Sequence, residues 1–66
     1  GIKIKNSKSY DHKYIFNAIK AQKYYNGVKI GNKVFKDVIF FSKKEIKKKR
    51  IVLECKNKKK LIGIVK

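Results

Sequence analysis

The apolar residues of this chain change period once, at Asn26-Gly27, and that switch limits the folds open to it. Before it, Tyr14, Ala18, Ala21 and Tyr25 recur at helical spacing, with Ile15, Ile19 and Gln22 beside them and Lys20 and Lys23 facing away. Ser9 or Asp11 is placed to cap this helix after the turn-forming run Asn6 to Ser9. Asn26-Gly27 stops it, because Gly takes the left-handed conformation that closes a helix. Upstream, Ile2 and Ile4 alternate with Lys3 and Lys5, the pattern of a short half-buried strand.

Beyond Gly27 the periodicity is that of strands. Val28 and Ile30 flank Lys29, and Gly31-Asn32 suits a two-residue hairpin turn. Val34 to Phe41 is apolar on both faces, which predicts a central strand covered on both sides, with Lys36 and Asp37 interrupting it at a bulge or bend. Ile51 to Cys55 reads as a fourth strand, Lys56 to Lys60 as a basic turn and Leu61 to Val65 as a fifth strand. Ser42-Lys43-Lys44-Glu45 matches a capping box, so the segment before the fourth strand is either a helical turn from Lys43 to about Lys49, anchored by Ile46, or an open hairpin loop. Residues 1–66 then form a single small basic domain of α+β class. One helix in the N-terminal half packs on a small, mostly antiparallel curled sheet or barrel of four to five strands.

Charge bears on function. Twenty Lys and Arg face four Asp and Glu, a formal net charge of +16. A domain so charged repels itself and calls for a polyanion, of which nucleic-acid phosphate is the commonest. Arg50 is the only Arg, and Lys is a hydrated point charge, so the surface suits backbone contact over base reading. Ile, Asn, Lys, Tyr and Phe dominate the chain as in a protein from an AT-rich genome, which accounts for part of the Lys excess but not for the scarcity of acids. A hydrophobic content of 42% argues against a disordered tail. Cys55 is a lone Cys and His12 a lone His, so neither an intrachain disulfide nor a metal site is expected, and an intracellular compartment, cytoplasmic or organellar, is the simpler expectation. No apolar run reaches the length of a membrane span, and Gly1–Lys5 lacks the apolar core of a signal peptide.

Two basic clusters flank the fourth strand: Lys43, Lys44, Lys47, Lys48, Lys49 and Arg50 before it, and Lys56, Lys58, Lys59 and Lys60 after it. If that strand is antiparallel to both neighbours, the clusters lie at its opposite ends, roughly 17–20 Å apart for about five residues. They are the expected nucleic-acid contacts, joined by Tyr10 and Tyr24, and by Phe16, as rings off the apolar stripe that can stack on bases. Tyr14 and Tyr25 are expected in the core with their hydroxyls reaching solvent, and Phe35, Phe40 and Phe41 inside it. Asp11 and His12, adjacent on a helix, are expected to point apart, leaving His12 a surface or capping residue. No nucleophile elbow and no Gly-rich phosphate loop is present, so no catalytic residue and no cofactor is expected.

Three resemblances bear on these residues. Asp37-Val-Ile-Phe-Phe followed by Ile51-Val-Leu-Glu-Cys-Lys56 resembles the strand pair of the PD-(D/E)xK nuclease family. That resemblance implies Asp37 and Glu54 as Mg²⁺ ligands and Lys56 as the residue assisting the attacking water. Ile15-Phe-Asn-Ala-Ile-Lys20 and Asn26-Gly-Val-Lys-Ile-Gly31 look like fragments of the bacterial Sm-like RNA chaperone, which implies a helix before a five-stranded RNA-binding barrel. In composition the chain is similar to ribosomal proteins, which implies life within an rRNA particle among other proteins. The leading expectation is a non-catalytic RNA-binding protein, a ribosomal or ribonucleoprotein component that prefers rRNA or other structured RNA to DNA. The alternatives are the Mg²⁺-dependent nuclease and an architectural protein of duplex DNA. A membrane partner is not expected, since the helix lacks a strong apolar face flanked by Trp or Phe.

Overall fold

The fold is that of a computed structural model, which describes residues 2–66. Its elements are β1 (Ile2–Ile4), α1 (His12–Ala21), β2 (Val28–Ile30), β3 (Lys33–Phe40), β4 (Arg50–Glu54) and β5 (Lys60–Val65), with single 3₁₀ turns at Ser7–Ser9, Lys43–Glu45 and Lys56–Lys58. The strands form one sheet in the order β1-β2-β3-β5-β4. Only β1 and β2 are parallel; the other pairs are antiparallel. The α+β class and the mostly antiparallel sheet agree with the sequence, but the sheet stays open and does not close into a barrel.

Asp11, not Ser9, caps α1, its carboxylate accepting the Lys13 N–H at 2.8 Å. Among the helical residues only Ile15 and Ile19 are fully buried, with Phe16 half-buried beside them. The helix ends at Ala21, earlier than the spacing predicts, and turns continue to Gly27, whose φ of 79° closes the segment. That early end explains one correction: Tyr25 lies beyond the helix, so helical phase does not carry it inward, and it is 73% exposed. Tyr14 is corrected too, at 51% exposed, because its ring stacks on Tyr10 (centroids 5.1 Å apart) outside the core.

Gly31-Asn32 makes the β2–β3 hairpin, with Ile30 paired to Lys33 and Gly31 at a φ of 62°. The expected interruption of β3 is a register shift between Phe35 and Asp37, which leaves both Phe35 and Val38 on the core side. There they meet Ile4, Val28, Ile30, Leu53, Cys55 and Leu61 from the sheet and Ile15 and Ile19 from α1. Gly63 is required by this packing. A Cβ there would lie 2.5 Å from the Phe35 ring and 2.9 Å from the Leu53 side chain, both buried and without room to yield. On the opposite face Ile39, Ile62 and Val52 stand in one register row, with Ile62 fully buried.

The main departure from the expected order is β5, which inserts between β3 and β4 and leaves β4 at the edge with one neighbour. β3 and β4 are both antiparallel to β5, so residues 41–49 are not a hairpin loop. They cross β5 from its Leu61 end, where Phe40 pairs, to its Val65 end, where the Lys49 carbonyl accepts the Val65 N–H at 2.8 Å. The helical turn in this segment is confined to Lys43–Glu45, and the Ser42 side chain makes no capping bond. Glu45 reaches forward to Arg50 Nη1 (3.3 Å) instead of back to Ser42. At the Leu61 end the two sheet edges are tied: Ser7 Oγ donates to the Glu54 carbonyl (2.7 Å) and the Lys56 N–H to the Tyr10 carbonyl (2.8 Å).

Candidate nucleic-acid interface

All nineteen Lys residues are exposed. Two of the four acids are spent on ion pairs with Lys or Arg: Asp37 with Lys20 (2.9 Å) and Lys23 (3.0 Å), and Glu45 with Arg50, while Asp11 lies 3.2 Å from His12 Nδ1. The Asp11–His12 contact corrects the expectation that these neighbours point apart, because Asp11 is the cap and precedes the helical residues. Burial alone would raise the Asp37 pKa. The Lys20 ammonium, the Val38 N–H (2.8 Å) and Lys23 outweigh it and hold the carboxyl at about 2. The same hydrogen bond, with the Asp37 charge behind it, raises the pKa of Lys23. The charges of Asp37 and Glu45 are thus cancelled where they stand, and the remaining lysines face solvent.

The clusters divide differently from the sequence expectation. Lys47 to Arg50 sit at the Val65 end of β5, and Lys56 to Lys60 at the other, so these two groups do flank β4. Lys43 and Lys44 leave β3 at the Phe40–Leu61 pair, so they start from the same end of the sheet as Lys60. Arg50 is half-buried with its guanidinium committed to both Glu45 oxygens at 3.3 Å, which fixes the crossing segment. Backbone strain falls in both groups: Lys49, Asn57 and Lys58 have φ of 63°, 62° and 60°. Asn57-Lys58 forms a turn of two left-handed residues, closed by the Cys55 N–H on the Lys59 carbonyl at 2.7 Å. A Lys stands where such a turn prefers Gly.

Of the eight aromatic residues only Phe35 is buried in the core. Tyr10 and Tyr24 are exposed as expected, Tyr24 at 86% with the Lys23 ammonium 5.6 Å from its ring centroid. Tyr24 and Lys23 also line a shallow cavity of about 420 Å³ with Lys36, Asp37, Arg50 and Ile64. Phe40 and Phe41 are not core residues: Phe40 is 69% exposed and Phe41 lies under the Lys60 ammonium at 5.4 Å. The sequence held a signal for this. Adjacent strand residues point to opposite faces, so a Phe-Phe doublet at a strand end cannot put both rings into one core. Phe16 stacks on Phe40 with centroids 4.7 Å apart and planes at 10°.

The residues of the nuclease-like pattern are not brought together. Asp37 pairs in register with Ile64 and Glu54 with Lys60, so the two carboxylates stand four β5 residues apart, about 13 Å along the strand and on opposite sides of it. One Mg²⁺, with ligands at about 2 Å, does not bridge that gap. Among the described residues no group of three or more His, Cys, Asp or Glu converges on a point. Cys55 is buried; burial, then the charge of Asp11, pushes its thiol pKa up, away from the reactive thiolate. Among the described residues no helix is long and apolar enough to cross a membrane. Comparison with known protein families, curated proteins and solved structures finds no match for this chain.

Proposed function

We propose that the chain is a non-catalytic RNA-binding protein that grips the phosphate backbone with lysines carried on turns. The observation that carries this reading is the state of its charges: every Lys is exposed while two of the four acids, Asp37 and Glu45, are consumed by local ion pairs. Lys47, Lys48 and Lys49 at one end of β4, Lys56, Lys58, Lys59 and Lys60 at the other, and Lys43 and Lys44 leaving β3 at that second end form the contact surface, with Tyr10 and Tyr24 flanking it. Arg50 acts through Glu45 to hold the crossing segment. Because the cations are point charges, the grip follows phosphates and is indifferent to sequence. RNA is favoured over duplex DNA on the chain's ribosomal-protein-like composition, and a ribonucleoprotein particle in a reducing compartment, cytoplasmic or organellar, is the setting this implies. Affinity for a folded RNA and for duplex DNA, measured from about 50 to 300 mM salt, tests the reading. A log–log slope of roughly −5 is expected if about six phosphates are contacted. A flat response sinks it, and tighter binding to duplex DNA reassigns the partner.

A further inference from the structure

Five of the seven rings that escape the core gather at one end of the sheet. Phe40 and Phe41 end β3, Phe16 stacks on Phe40, and Tyr10, with Tyr14 stacked on it, is bonded to Lys56. Lys56 to Lys60 lie at this same end, since Phe40 pairs with Leu61 and Glu54 with Lys60. Between Phe40 and the first turns of α1 runs a groove of about 340 Å³ lined by His12, Lys13, Phe16, Asn17 and Phe40. That volume is at the small end for ligand pockets and suits one planar ring system.

We infer that this groove takes a single unstacked base of a single-stranded RNA, laid against Phe40. The inference rests on the RNA-binding reading and adds to it a preference for single strands that lysines alone do not supply. Phe16 backs one side of the Phe40 ring, and the Lys20 ammonium stands 5.5 Å from the Phe16 centroid, so the rings form a braced platform. Asn17 offers an amide donor and acceptor to a base edge. Lys13 at the rim and Lys60 over Phe41 are placed for the phosphates on either side of that base. No acid lines the groove, so the occupant is anionic where it meets the rim and flat and apolar where it meets the floor. A nucleotide has both properties. Bases within a duplex are stacked on their neighbours and do not reach such a floor.

The test compares a uridylate oligomer of about 12 nucleotides with a blunt RNA duplex of equal length, on the wild type, Phe40→Ala and Phe40→Trp. Losing one stacked base is expected to weaken single-strand binding by between about 5-fold and 150-fold in Phe40→Ala. Duplex binding and both salt slopes should stay unchanged, and Phe40→Trp should restore or tighten single-strand binding. Phe40 is exposed, so neither variant opens a cavity. Unchanged single-strand affinity in Phe40→Ala, or equal weakening on both RNAs, overturns the groove and leaves the phosphate reading standing. A wild type that binds neither RNA overturns the phosphate reading and the groove with it.

Discussion

Asp37 is a half-buried acid on a molecule with few acids, and its surroundings decide what it does. Two lysines from α1 and its C-terminal turn converge on a carboxylate of β3, so this ion pair pins helix to sheet. Its pKa of about 2 lies below the roughly 3.9 of an unfolded Asp. The folded state therefore binds this proton less readily than the unfolded chain. The stabilisation is complete above about pH 4 and is lost as pH falls toward 2. Asp37→Asn should be less stable than the wild type at pH 7, by about 1 kcal/mol after discounting the solvent-exposed lysines, and the difference should vanish near pH 2. Urea unfolding of both proteins across that range measures it, and parallel stability curves would show that Asp37 does not carry the effect. The sequence marks Asp37 as a break in a strand and, through the nuclease-like pattern, as a metal ligand, but not as the partner of two lysines. Its partners are set by α1 lying along β3, a relation that period and spacing do not encode.

At the scale of elements, what the sequence shows is local chemistry and what it hides is order. Asp11, Gly27 and Gly31-Asn32 name their own turns because cap and left-handed geometry are properties of one or two residues. The insertion of β5 beside β3 leaves no such mark: alternation says that a segment is a strand, not which strand it joins. The lysine groups were therefore legible as groups, and their distribution over the two ends of the sheet was not. The Phe40 groove was hidden for a related reason, since a Phe on an apolar strand reads as core until the strand's end is located. The β4–β5 turn offers a test that links strain to function. Lys58 at a φ of 60° costs on the order of 1 kcal/mol relative to Gly, so Lys58→Gly should raise stability by about 0.5–1 kcal/mol. It also removes a cation, and should reduce the magnitude of the salt slope for RNA by about one. Thermal unfolding paired with that titration separates the outcomes. Greater stability with an unchanged slope would remove Lys58 from the contact surface.

For the whole molecule, a net charge of +16 on a body with a radius of gyration of 10.5 Å is a standing cost to the folded state. Unfolding lets the cations spread apart, so screening should favour folding. At 0.1 M salt the Debye length is about 10 Å, comparable to the molecule itself, and at 1 M it is about 3 Å. Raising salt from about 10 mM to 500 mM should therefore raise the melting temperature of the free protein. A gain of about 1 kcal/mol corresponds to roughly 4–8 °C for a domain of this size. A bound RNA neutralises the same charges by a different route. At a free concentration about 100-fold above Kd it adds about 2.7 kcal/mol to folding, and this contribution shrinks as salt weakens binding. The two dependences have opposite signs. With excess RNA the melting temperature should start high and fall as salt is added, until it meets the rising curve of the free protein. A free protein that loses stability with salt would show that self-repulsion is not what limits the fold. Superimposed curves with and without RNA would show that its charge answers to another partner.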